Sequence, residues 1–234
     1  MTYYKVLAAD GISPQHGGSG KWRIGEWMPA IRDIQPCKRG YHFVSIEQLP
    51  QWLGPTLYEI EVRGQVIHQA DKSVAEQARL IRKVETWNDK TLRLYAADCA
   101  ERVLGLYEKQ YPKNDRPRKA IQAARDFANG LINKDAADAA ADAANAAAYT
   151  AANAAYAAKA AAYAADAAAD AANADAADAA SDAAYAANAA YAAAYATGAV
   201  AYAAEKTWQI ERLKHYLFCH KMTKDFCSDW WFWW

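Results

Sequence analysis

The sequence predicts an α+β protein: a small mixed α/β domain over residues 1–88, then an all-α, close-packed antiparallel helical domain over residues 89–218. Two observations carry this. The segment TLYEIEVRG, residues 56–64, alternates apolar Tyr58, Ile60 and Val62 with charged Glu59, Glu61 and Arg63, the period of a half-buried strand. Between Asp135 and Ala204, 45 of 70 residues are Ala, and no Pro or Gly occurs before Gly198, so this stretch has little alternative to α-helix.

Residues 3–8, YYKVLA, read as a first strand. The loop SPQHGGSGKW that follows ends in Gly20-Lys21, but Gln15 and Trp22 stand where a phosphate-binding loop needs Gly and Ser or Thr, so that motif is excluded. In CKRGYHFVS, residues 37–45, Gly40 predicts a turn feeding a strand. Ser45 and Gln48 form a capping-box pattern that should open a short helix, IEQLPQWL, limited by Pro50. The strand from Thr56 should end at Gly64, with Gln65 to His68 as another short strand, and KSVAEQARLIRKVETW should be a mixed-charge helix or a helix-strand pair. Asp89 should cap a helix from Lys90 that ends before Pro112, and Asp115 with Pro117 should open a second that stops at Gly130.

Within the Ala-rich stretch, Asp, Asn and Tyr recur at spacings of three and four, which gathers them into one stripe and leaves the rest of the helix surface covered in methyl groups. Ala faces let helix axes approach to the short end of the usual range. One unbroken helix of this stretch would run about 105 Å, so it should fold into antiparallel pieces, broken between Asn173 and Asp182 and more weakly at Tyr149-Thr150.

The net charge is zero, but residues 1–134 hold 21 Lys and Arg against 15 acidic residues, whereas residues 135–204 hold one against eight. The basic part can therefore dock on the acidic one. No export signal opens the sequence and charge interrupts the Ala run too often for a bilayer span, so the expectation is a soluble cytoplasmic protein with no membrane and no direct nucleic-acid partner. Cys37, Cys99, Cys219 and Cys227 lack CxxC spacing and should be reduced thiols. His215, Cys219, His220 and Cys227 match no standard zinc spacing, so no metal and no cofactor is expected.

The strings CAERVLGLYEKQYPKNDRPRKAIQAAR (residues 99–125) and KTWQIERLKHYL (residues 206–217), with the Ala-rich stretch between them, resemble an Ala-rich immunity protein family of bacterial polymorphic toxin systems, over about residues 87–217. The resemblance implies helices and stoichiometric neutralisation of a cognate toxin rather than catalysis. CKRGYHF and YEIEVRG look like an uncharacterised small domain of phage and bacterial proteins, which points to a phage or prophage origin.

Two sets of residues are candidates for binding. Arg39, His42 and Glu59 in the front part form a candidate pocket for a nucleotide-like anion, as in ADP-ribosyltransferase-type folds, and Arg116 and Arg118 at a helix start offer a second anion site. Capping and ion pairing with the acidic Ala-rich helices is the simpler role for the latter pair. Tyr149, Tyr156 and Tyr163, with Trp230, Trp231, Trp233 and Trp234 of the aromatic tail over residues 219–234, are candidates for a protein partner, since Tyr and Trp dominate interface contacts. No nucleophile-base pair is legible, so the expected function is non-enzymatic binding of a toxin or defence component. Modification of a nucleotide-like ligand, or a structural, virion-associated homo-oligomer, is the alternative.

Overall fold

A computed structural model of the chain describes residues 2–8, 11, 20–150, 160, 163–164, 167–168, 170 and 176–218. It has the expected α+β class. Strands β1 (Tyr3–Leu7), β2 (Tyr41–Phe43), β3 (Thr56–His68) and β4 (Ser73–Lys83) form an antiparallel sheet in the order β1-β3-β4-β2. Tyr4 and Val44 exchange backbone hydrogen bonds of 2.8 and 3.0 Å, so the first and last strands also meet and the sheet curls towards closure.

Three expectations for the sheet are corrected. β3 does not end at Gly64: it continues to His68 through a register shift between Arg63 and Val66. Gly64, at φ +79°, takes up that irregularity, and the Gln65 amide donates to Glu76 Oε2 at 2.9 Å. The segment expected as a helix or a helix-strand pair is strand β4 from Ser73 to Lys83, because Arg79 and Arg82 stand in register with Glu61 and Glu59 and pair with them, while Ala78 and Leu80 face the buried side. Cross-strand pairing there overrides the helix propensity of Ala, Glu, Gln and Arg. The Ser45–Gln48 pattern gives its reach-back bond, Ser45 N to Gln48 Oε1 at 3.0 Å, but only one 3₁₀ turn, Leu49–Gln51, follows. Gln48 Nε2 also donates to Gln69 O at 2.8 Å, tying this turn to the β3–β4 connection.

Helix α1 (Asp89–Gln110) is capped one residue earlier than expected, by Asn88. The Asn88 side chain accepts from the Thr91 amide at 3.2 Å and the Thr91 hydroxyl accepts from the Asn88 amide at 2.9 Å, a reciprocal pair that leaves Asp89 in the first turn, where its charge suits the helix dipole. Helix α2 (Arg116–Ala128) starts after Asp115, whose carboxylate bridges to Lys119 at 2.9 Å instead of capping an amide. Helix α3 (Lys134–Thr150) follows Asn133, whose side chain accepts from Ala136 N at 3.0 Å. Helices α4 (Ala176–Thr197) and α5 (Ala199–Phe218) are separated by Gly198 at φ +124°, a conformation closed to other residues. α4 runs unbroken through Asp182, so no break falls between Ala176 and Asp182; residues 171–175 lie outside the described residues, as do residues 151–159.

One hydrophobic cluster joins the sheet to the helices. Tyr4, Val44, Leu57, Val84 and Trp87 share it with Leu92, Tyr95, Ala96, Cys99 and Ala100 of α1, with Ala183, Ala186, Ala187, Ala190 and Ala193 of α4, and with Leu213 and Leu217 of α5. α1 and α4 lie along each other through these methyl groups, the close approach that Ala permits. Ala120 of α2 with Ala141 and Ala144 of α3 repeats the device. The other face of the sheet has its own cluster around Leu7, Trp22, Tyr41, Phe43, Ile60 and Leu80.

Candidate functional site

At the junction of α1, α2 and α5 the apolar packing is interrupted by charge. Asp98 of α1, only 7% exposed, accepts three hydrogen bonds: from Arg125 Nη2 of α2 at 2.8 Å, and from Arg212 Nε and the Tyr216 hydroxyl of α5 at 2.6 and 2.5 Å. Arg125 also donates to Glu101. Two carboxylates thus face two guanidiniums, and each helix supplies at least one member. Burial works against the charge of Arg125, but its bonds to Glu101 and Asp98 outweigh that and raise its pKa. Burial and the neighbouring Asp98 hold the Tyr216 hydroxyl well above its ordinary value, so it stays a donor.

A second buried acid lies beside this network. Glu205, 3% exposed, accepts from Gln209 Nε2 at 2.9 Å and meets Arg102 Nε at 3.5 Å, and burial raises its pKa against those two partners. Gln209 also donates to Ala187 O at 3.0 Å, which fastens α5 to α4. The Arg102 guanidinium lies over the Trp208 ring at 5.6 Å. With its three donors in place Asp98 is committed to positioning helices, not to acid-base chemistry. Among the described residues no cluster of three or more His, Cys, Asp and Glu is placed to hold a metal.

The residues singled out from sequence are dispersed. Arg39 is exposed in a tight turn closed by Gln35 N to Arg39 O at 2.8 Å, and His42 uses Nε2 to accept the Cys37 amide of that turn at 2.8 Å. The Glu59 carboxylate is held by Arg82 through bonds of 2.8 and 2.5 Å. Arg116 donates to Asn114 Oδ1 at 2.9 Å, and Arg118 makes a two-point bridge to Glu108 of α1, 2.7 Å each, so its acidic partner is α1 and not an Ala-rich helix. Tyr163 is half-buried against the main cluster; the side chains of Tyr149 and Tyr156, and Trp230, Trp231, Trp233 and Trp234, lie outside the described residues, as do Cys219, His220 and Cys227.

The corner between α4 and α5 exposes apolar surface. Tyr195 is 69% and Val200 86% exposed there, and the Tyr202 ring packs against Tyr195 at 5.9 Å and against buried Tyr191 at 5.6 Å; Tyr185, 55% exposed, lies further back along α4. The Asp98 network was not singled out from sequence, although Arg125 and Arg212 fall inside the strings IQAAR and WQIERL. The legible signal was an acid, Asp98, placed among the apolar Tyr95, Ala96, Cys99 and Ala100 of one helix.

A family model described as Imm-5 like putative immunity protein matches residues 82–216, the span from the end of β4 to the last turns of α5. No curated protein and no solved structure matches the chain.

Proposed function

We propose, from the premise that the chain belongs to the Imm-5 like putative immunity protein family, that it neutralises a bacterial toxin by stoichiometric binding, without turnover. The family match carries this, because it covers the unit that the Asp98 network locks together. The network supports a scaffold role: its polar groups are consumed in holding α1, α2 and α5, which leaves the outer surface of the bundle for contact. The contact surface proposed is the α4–α5 corner with Tyr195, Val200 and Tyr202, and the further residues proposed to touch the partner are Tyr185 of α4, Tyr149, Tyr156, Tyr163 and the tail residues Trp230, Trp231, Trp233 and Trp234. The setting proposed is the bacterial cytoplasm, with the gene borne by the bacterium or by a phage. Among the described residues, no helix is long and apolar enough to cross a membrane.

Affinity capture from bacterial lysate, with the recovered protein then tested as a growth-arresting toxin, examines this. Recovery of a toxin whose activity the chain abolishes in a one-to-one complex is the expected result. Capture of no protein, with turnover of a small molecule instead, would overturn it.

A further inference from the structure

The face of the sheet that bears the Leu7, Trp22 and Ile60 cluster, its inner face, carries a charge where its neighbours are apolar. Lys5 sits in the middle of β1, opposite Tyr58 of β3, and shares its side of the sheet with Tyr3 and Leu7. Its residue is 8% exposed. Nζ donates to His42 O at 2.9 Å, which stitches β1 to β2, and lies 5.4 Å from the centroid of the Trp22 ring. An ammonium has three N–H donors. Among the described residues, the His42 carbonyl is the one hydrogen-bond acceptor Lys5 meets, and no carboxylate faces it.

Burial, with no opposing charge, lowers the pKa of Lys5 to about 8, so at neutral pH it is still mostly protonated. The titratable groups on this face are the phenols of Tyr58 across β3, Tyr3 on β1 and Tyr41 of β2, whose hydroxyl is spent on Pro29 O at 2.7 Å, and the His68 imidazole, which meets the Tyr3 and Phe43 rings at 6.3 Å and the Ser73 hydroxyl at 2.9 Å. None supplies negative charge at neutral pH. A buried ammonium of this kind calls for a counter-charge with oxygen acceptors.

We propose that the inner face of the sheet binds a small oxyanion, carboxylate or phosphate, whose oxygens take the two remaining N–H groups of Lys5 beside the Trp22 ring. The site is separate from the α1–α2–α5 junction and does not depend on toxin binding. Oxyanion and ammonium form a charge-assisted pair, so occupancy should fade as the amine loses its proton.

Thermal unfolding of the full chain tests this in about 5 mM sodium phosphate or sodium acetate against sodium chloride at equal ionic strength, low enough to avoid general salting effects. At pH 7 one or both oxyanions should raise the midpoint by roughly 2–4 °C over chloride. Phosphate alone would assign a phosphate ligand and acetate alone a carboxylate. The gain should vanish at pH 9.5 and in Lys5→Met at either pH. Equal midpoints in all three salts, a gain undiminished at pH 9.5, or a gain that survives in Lys5→Met would each overturn the proposal. Should Lys5→Met fail to fold by circular dichroism, the two pH values on the wild-type chain decide the matter alone.

Discussion

Asp98 and Glu205 are both nearly buried acids, yet they bear on stability in opposite ways. Asp98 is matched by two guanidiniums and a hydroxyl, so its removal strands Arg212 and half of Arg125. Asp98→Ala should cost about 3–5 kcal/mol, the range for breaking one side of a buried pair, measured by urea unfolding. Glu205 is under-compensated: burial raises its pKa, and its Arg102 contact is long at 3.5 Å. A carboxyl whose folded pKa is raised above the unfolded value of 4.5 carries no ionisation penalty when protonated, and its burden on the fold builds up as pH rises from 4.5 through the folded value and is constant above it. Glu205→Gln should therefore stabilise the protein at pH 7.5, keep the Gln209 bond, and give no gain at pH 4. Destabilisation at pH 7.5 would show that the Arg102 pair outweighs the burial.

At the scale of elements, Ala on facing helices sets the spacing, and the spacing has little tolerance. Ala187 of α4 is fully buried in the main cluster, whereas the next residue, Asn188, is exposed. Ala187→Leu should cost about 1–3 kcal/mol by overpacking, and Asn188→Leu should stay within about 0.5 kcal/mol, in parallel denaturant titrations. The presence of the helices, β1, β2 and the start of β3 was legible because composition, Pro and Gly punctuation and strict alternation speak locally, whereas the run of β3 past Gly64 and the helix through Asp182 were not. β4 was not: Ala78, Arg79, Leu80 and Arg82 suit either state, and the choice is made by Glu61 and Glu59 on another strand. Gly198 was visible as the sole Gly of the Ala-rich stretch, but its role as the corner between α4 and α5 needs α1 as the surface on which both pack. Asp98 itself stood out as an acid on an apolar helix face, but its partners were illegible for the same reason, since they stand 27 and 114 residues away in sequence.

Across the whole molecule, Trp87 is where sheet and helices become one structure. It is 2% exposed, its indole N–H donates to Gly54 O at 2.9 Å, and its ring meets Tyr95 of α1 edge-on at 6.2 Å. Thr86 beside it donates to Leu217 O at 2.9 Å, closing the contact from the end of α5. Trp87→Ala should cost about 3–5 kcal/mol and lower the unfolding midpoint of sheet and helices together. On this frame the proposed function needs only a surface: the buried charges hold the helices, the Ala faces bring them close, and the tyrosines at the α4–α5 corner remain outside. The most direct measurement is a titration of the purified cognate toxin's activity with increasing amounts of the chain. Activity should fall linearly to zero at one chain per toxin, with both proteins recovered chemically unchanged; abolition by a small fraction of an equivalent, or a covalently altered toxin, would contradict the account.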